Sequence, residues 1–436
     1  MYAEWGGNQM KRKSALFLDA YCASHVGNDV LLESSTLLLK RLCPNVEVKI
    51  HAKTLESFLN TQGVTCSGVL FSDAPVGEKF LTKIMWLINA MVFMAIQIIN
   101  ALTLRIPPYF LTFSKARKIA LRDITESSFA ISIGGEMIND SFRKTLPLYL
   151  FEFWLAARFG CKVVIFPQSI GPLRRKWTRW MTAMVLRQCT IVTARDQPSL
   201  DELHSLGLSG NQALSAPDVG IEQPMASDAE AKRYLTDLGV DFQDKKIWIG
   251  LTPSAWVEEG VAKQDYLEII ATAIKQLSRD HRLGVILMPA NMPVCGERTS
   301  DYETATRLFD MLSDTCECHI LPKAVVPARL FKGIQGCLDM VISTRMHASI
   351  LSTMAATPTI TINTQRKLYG YMSRIGQERF SLDIQDLTAT QIVHAAGEII
   401  NNQTTVRQEL KNGYAKVSAE LTSYVALAQP IMGCAD

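Results

Sequence analysis

Short apolar runs alternate with longer stretches of helical spacing along most of this chain. Residues 15–18 are apolar enough for a strand, and 30–42 follow with apolar residues spaced for a helix. Residues 46–52 and 68–71 read as further strands. A strand at 129–133 ends in Gly134-Gly135, and 146–159 is an apolar helix. The strand at 162–167 runs into Gln168-Ser169-Ile170-Gly171-Pro172. A helix at 177–187, a strand at 190–194 and a helix at 198–206 closed by Gly207 come next, then a short strand at 214–219. The polar stretch 222–246 interrupts the pattern, and a second series begins. Strands are expected at 247–251, 284–288, 319–321, 340–343 and 357–363. Helices are expected at 266–277, 302–312, 328–336 and 348–356, with a mostly helical end from 388 to 428. Strands that alternate with helices predict an α/β fold with parallel sheets and right-handed crossovers. Two such series predict two domains facing across a cleft, where a ligand is expected. The expected units are 14–222, 245–385 and a helical end at 386–436.

One stretch departs from this pattern. From 84 to 104 the chain carries no charge, long enough to span a bilayer. Asn89, Phe93, Gln97 and Asn100 fall near one helical face. Three readings stand: a buried or groove-forming helix of the soluble fold, an interfacial helix making peripheral contact with a membrane, and a transmembrane helix.

Composition narrows the function classes. Of 436 residues, 48% are hydrophobic and 20% charged, and the formal net charge is +3. That is a globular chain whose near-neutral balance gives no reason to expect nucleic acid. Arg174-Arg175-Lys176 and Arg179 form a local basic cluster, read as a solvated helix face or as a contact for a polyanion or membrane. The ten cysteines are scattered without a CxxC pair, which argues against a zinc ribbon or a redox motif. Cys316-Glu317-Cys318, the close pair, reads as structural, several others lie in apolar strand-like runs where free thiols pack as small hydrophobes, and a reducing cytoplasm fits best. Neither GxGxxG nor a Walker A sequence occurs.

The candidate chemistry lies at strand ends. Ser343-Thr344-Arg345-Met346-His347 stands between the strand at 340–343 and the helix after it, and Lys367 follows twenty residues beyond the histidine. Ligands bind at that edge of a parallel sheet. Arg345 is permanently cationic and His347 exchanges protons near neutral pH, a combination suited to an anionic substrate. Arg195 ends the strand at 190–194. Gly134 and Gly135 would let backbone amides approach an anion, particularly if a helix N-terminus followed. Each has a plainer reading: a salt bridge with Asp196 or another nearby acid for Arg195, a structural role for His347, a tight turn for the glycines.

Five segments together resemble the polysaccharide pyruvyltransferase family. They are Gly27-Asn28-Asp29, Ser132-Ile133-Gly134-Gly135, Phe166 to Pro172, Thr193-Ala194-Arg195-Asp196 with Ser199, Leu203 and Gly207, and Ser343 to Ala348 through Thr357-Pro358 to Lys367. The family usually has an acid directly after the first glycine, where this chain has Asn28. The resemblance implies two Rossmann-like domains similar to GT-B glycosyltransferases. It also implies transfer of the pyruvyl group of phosphoenolpyruvate to two hydroxyls of one sugar, in a glycan or lipid-linked glycan precursor, with release of phosphate. Arg195, Arg345 and Lys367 would then clamp the donor and His347 would move a proton. Phosphoenolpyruvate is a co-substrate, and no metal or cofactor is expected. The rival reading is a GT-B glycosyltransferase with a nucleotide-sugar donor.

Overall fold

The computed structural model describes residues 13–20, 25–52, 64–72, 79–255, 266–292, 300–364 and 366–434. The first sheet comprises β1 (Ser14–Ala20), β2 (Glu47–Ala52), β3 (Val64–Ser67), β4 (Phe129–Ser132), β5 (Gly135–Ile138), β6 (Lys162–Ile170), β7 (Ile191–Ala194) and β8 (Ala213–Ser215). Its order is β3-β2-β1-β4-β6-β7-β8, with β5 pairing β6, and every pair is parallel. The second comprises β9 (Ile247–Thr252), β10 (Leu283–Leu287), β11 (Glu317–Ile320), β12 (Met340–Ser343), β13 (Thr359–Asn363) and β14 (Ser381–Asp383), in the order β11-β10-β9-β12-β13-β14, also parallel. Strands covered on both faces read as continuous apolar runs, and Val163–Phe166 of β6 is fully buried. Chain order reverses between β1 and β4 in one sheet and between β9 and β12 in the other. Those switch points are where open α/β sheets leave a crevice.

Some elements differ from the sequence reading. The strand expected at 68–71 lies at Val64–Ser67. The one expected at 214–219 stops at Ser215, because Pro217 cannot donate to a ladder and the Asp218 side chain turns the chain by accepting from Gly220 N at 2.8 Å. The helices Lys115–Glu126 and Arg366–Arg374 were not expected. The uncharged stretch forms the helix Phe80–Ile99 with a π-helical end, Asn100–Leu104. It packs by one face only. Phe93 meets Phe71 and Phe151 edge-on at 5.8 and 6.3 Å, while most of the helix surface is exposed. It is therefore not the buried core helix considered above. Both of its flanks return to one sheet, β3 before and β4 after, which a bilayer-spanning helix does not allow.

The two halves are tied at several points. His25 pairs with Asn291 in an isolated bridge, and Val26 N donates to Ala290 O at 2.9 Å. Asp29 accepts from Ala328 N at 2.8 Å, so a side chain of the first half caps the Ala328–Gly336 helix of the second. The last helix, Gln403–Met432, runs back along the first half. Tyr424 and Thr193 hydroxyls lie 3.2 Å apart, and Lys162 Nζ donates to Met432 O at 2.8 Å. Cys43 and Cys434 are joined as a disulfide across 391 residues of sequence, a pairing that the expectation of a reducing environment did not include. Only the return of the last helix brings them together. Cys161, Cys189, Cys316, Cys318 and Cys337 are free.

Candidate active site

A cleft of about 1100 Å³ opens where the two switch points face each other. Its walls are loops that follow the C-terminal ends of parallel strands. Gly27 and its neighbours follow β1, Gly134 to Glu136 follow β4, Ser169 to Gly171 end β6, and Arg195 follows β7. From the other side come Thr344 to His347 after β12, and Lys367 after β13. All six residues singled out in the sequence, Gly134, Gly135, Arg195, Arg345, His347 and Lys367, line this one cleft.

Two glycines are required by geometry. Gly134 has φ +108°, and a Cβ there would sit 2.9 Å from Pro167 O. A Cβ on Gly27 would lie 2.6 Å from His347 Nδ1 and 2.9 Å from the His25 ring. The Gly134-Gly135 turn does not lead into a helix N-terminus; it leads into β5, which carries Glu136 to the cleft. The turn is pinned from below. Buried Asp19, at the end of β1, accepts from Ile133 N at 2.8 Å and from the Ser132 and Tyr149 hydroxyls.

The cations arrive paired. Arg195 Nη1 donates to Asp218 Oδ2 at 2.7 Å and Nε donates to Ser169 Oγ at 2.9 Å, in almost complete burial. The salt bridge considered for Arg195 therefore exists, and of the nearby acids its partner is Asp218. Arg345 Nη2 is bonded to Asp301, which also accepts from Ala255 N and Asn291 N at 3.0 Å each; Arg345 Nε is buried without a partner. Lys367 Nζ reaches across the cleft to Glu136. Three cations thus meet three carboxylates, where the sequence suggested an open cluster of positive groups.

His347 stands among them. Its Nε2 has no hydrogen-bond partner and lies 3.9 Å from Asp218 Oδ1. Burial pulls its imidazole down to about 4; Asp218 and Glu136 oppose this, while Arg195 and Lys367 add to it. Burial alone would raise the Asp218 carboxyl, but Arg195 and His347 outweigh it and hold it below its usual range. The Lys367 ammonium is pulled down by burial, with Glu136 opposing and Arg195 and Arg345 adding. His25 faces the same space. Burial, then Arg345, His347 and Lys367, lower it well below the ordinary histidine value. Its Nδ1 accepts from Gly27 N at 2.9 Å, so the neutral ring carries its proton on Nε2. The Met346–Met354 helix begins at Arg345 with no side-chain cap, leaving its first N–H groups and its positive dipole end at the cleft. The arrangement offers an anion site beside a neutral imidazole with a carboxylate behind it. His25, Glu136, Asp218 and Asp301 were not singled out in the sequence. The available signal for Asp218 was its place in Pro217-Asp218-Val219-Gly220, just after a strand.

A family model described as polysaccharide pyruvyl transferase matches residues 25–366. The amylovoran biosynthesis protein AmsJ of Erwinia amylovora is 21% identical over 312 residues, covering 70% of this chain and 72% of that one. Among solved structures, Anabaena HepE in complex with UDP-glucose superposes with a TM-score of 0.55 at 13% identity, covering 95% of this chain and 98% of that one. The UDP-GlcNAc 2-epimerase of Neisseria meningitidis bound to UDP-GlcNAc gives 0.53 at 10%, covering 94% and 99%. At such identities the likeness is one of fold, the two-domain GT-B-like arrangement.

Proposed function

The chain belongs to the polysaccharide pyruvyl transferase family, and from that premise we propose that it moves the pyruvyl group of phosphoenolpyruvate onto two hydroxyls of one sugar in a glycan or lipid-linked glycan precursor. The observation that carries this reading is His347. It is a neutral imidazole with a free Nε2 next to Asp218, in a cleft where Arg345 and Lys367 converge from the starts of two separate helices.

The donor carries a carboxylate and a phosphate. Arg345, Lys367 and the uncapped start of the Met346–Met354 helix would hold them, and Arg195 would keep Asp218 in place. The proton of the first attacking hydroxyl passes through His347 to C3 as the hydroxyl oxygen bonds to C2, so the π pair of the enol forms the new C–H bond and C3 becomes a methyl group. Asp218 steadies the imidazolium charge as the proton passes. The second hydroxyl then displaces phosphate from C2, its proton leaving with the phosphate. Two C–O bonds to the sugar form and one to phosphate breaks. Cations around the phosphate stabilise charge on the leaving group. We place the reaction in the cytoplasm, where phosphoenolpyruvate is available.

The test is phosphate release from phosphoenolpyruvate across a panel of glycan precursors. With a working acceptor, His347→Ala should lower turnover by about 10² or more; unchanged turnover would overturn the assignment. A thermal-shift screen separates the rival donor class. Stabilisation by nucleotide sugars and not by phosphoenolpyruvate would favour glycosyl transfer instead.

A further inference from the structure

The Phe80–Leu104 helix has its polarity reversed for a water-soluble surface. Two of its polar side chains face inward. Gln97 and Asn100 are 0% and 1% exposed; Gln97 Nε2 donates to Pro108 O at 3.1 Å, and Asn100 clasps both backbone groups of Ile106. Asn89 accepts from Arg117, whose guanidinium lies 4.2 Å from the centre of the Phe93 ring. Its apolar side chains face outward. Ile88, Val92, Ile99 and Leu102 are each more than half exposed, as are Phe80 and Leu104 at the ends. The loop after the helix continues the surface with Phe110 at 70% and Phe113 fully exposed. A contiguous apolar face of this kind is rare on a monomer and marks an interaction surface.

The charge around it selects the partner. From 79 to 122 there is no Asp or Glu, and Lys79, Lys83, Arg105, Lys115, Lys118 and Arg122 are all exposed. An apolar face rimmed by long cationic side chains fits an anionic lipid surface, where the stems lie along the acyl boundary and the charges meet headgroups. It fits a second copy of this chain poorly, because two such rims would repel. We propose that the Phe80–Phe113 segment docks the enzyme peripherally on an anionic bilayer.

Docking also bears on the acceptor, and this step rests on the pyruvyl-transfer reading. Trp86, from the same helix, lines a side cavity of about 130 Å³ that shares Asp19 and Met137 with the main cleft. The helix that docks thus borders, by its inward face, a side cavity next to the cleft, so docking would hold the cleft near an acceptor whose lipid anchor lies in that bilayer.

Sedimentation with vesicles tests the docking. Vesicles of phosphatidylcholine with an equal share of phosphatidylglycerol should carry the protein down at 0.15 M salt, and pure phosphatidylcholine vesicles should do so at least tenfold less. Combining Ile88→Ser, Val92→Ser, Ile99→Ser and Leu102→Ser should cut binding to the anionic vesicles at least tenfold without lowering the melting temperature, since all four side chains are exposed. Failure of the unaltered protein to bind anionic vesicles would overturn the proposal, as would undiminished binding by the fourfold variant. A dimer in light scattering that the fourfold variant abolishes would identify the face as a self-association surface and overturn it too. Transfer to a soluble acceptor should be unaffected by these changes. Vesicle binding without any turnover of phosphoenolpyruvate would count against pyruvyl transfer alone.

Discussion

His51 and His347 are both buried imidazoles held near 4. His51 sits on β2 with neither ring nitrogen bonded. Burial is the main cause of its low value; Asp123 opposes it and Lys49 adds to it. A histidine near 6.5 unfolded and near 4 folded leaves stability whole above 6.5 and removes it as pH falls towards 4, because the unfolded chain takes the proton first. Each such group accounts for roughly 3 kcal/mol over that window. Urea midpoints should therefore fall steeply between pH 6.5 and 4, and His51→Leu should shrink that fall by up to about 3 kcal/mol while leaving pH 7 stability no lower. An equally steep fall in the variant would show that His51 is not the source. At this scale the sequence was half legible. Arg345 and His347 stood out because they directly follow a strand. Their partners did not, because Asp301 lies 44 residues before Arg345 and Glu136 lies 231 before Lys367, and only the fold decides which carboxylate meets which cation.

Elements were more legible than contacts. Periodicity located most strands of both sheets, since strands buried on both faces need unbroken apolar runs. It misplaced β3 and overran β8, where turn chemistry at Pro217-Asp218 decides the end. It could not show that Asp29 caps a helix almost three hundred residues later in the chain. The chain's acid comes one residue after the position usual in the resembled family, and here it serves the interface between halves. Burial lifts its carboxyl to about 6, with Glu33 adding and the Ala328 N–H opposing. The contact needs an oxygen acceptor more than a charge. Asp29→Ala should cost about 1 kcal/mol, as losing a helix cap does, whereas Asp29→Asn should cost little. Equal losses in urea denaturation at pH 7 would show that charge, not capping, matters there.

For the whole molecule, the pairing of Lys367 and Arg345 with carboxylates implies that donor binding is an exchange of partners. An anionic donor entering between the halves must compete with Glu136 for Lys367 and with Asp301 for Arg345. Of these the Glu136–Lys367 pair is the more replaceable: it is partly exposed, it joins β5 of one half to the Arg366–Arg374 helix of the other, and Glu136 has no backbone donor holding it comparable to those on Asp301. Removing the two partners should then have opposite effects on binding. Lys367→Gln should weaken phosphoenolpyruvate binding about tenfold or more, by removing a cation that the donor uses. Glu136→Gln should strengthen it several-fold, by leaving that cation free beforehand. Isothermal titration of each variant with phosphoenolpyruvate alone, without acceptor, keeps binding apart from turnover. If both substitutions weakened binding alike, the bridge would be serving to hold the halves at their working separation, and the anion would be bound by the Met346–Met354 helix start and Arg345 without Lys367.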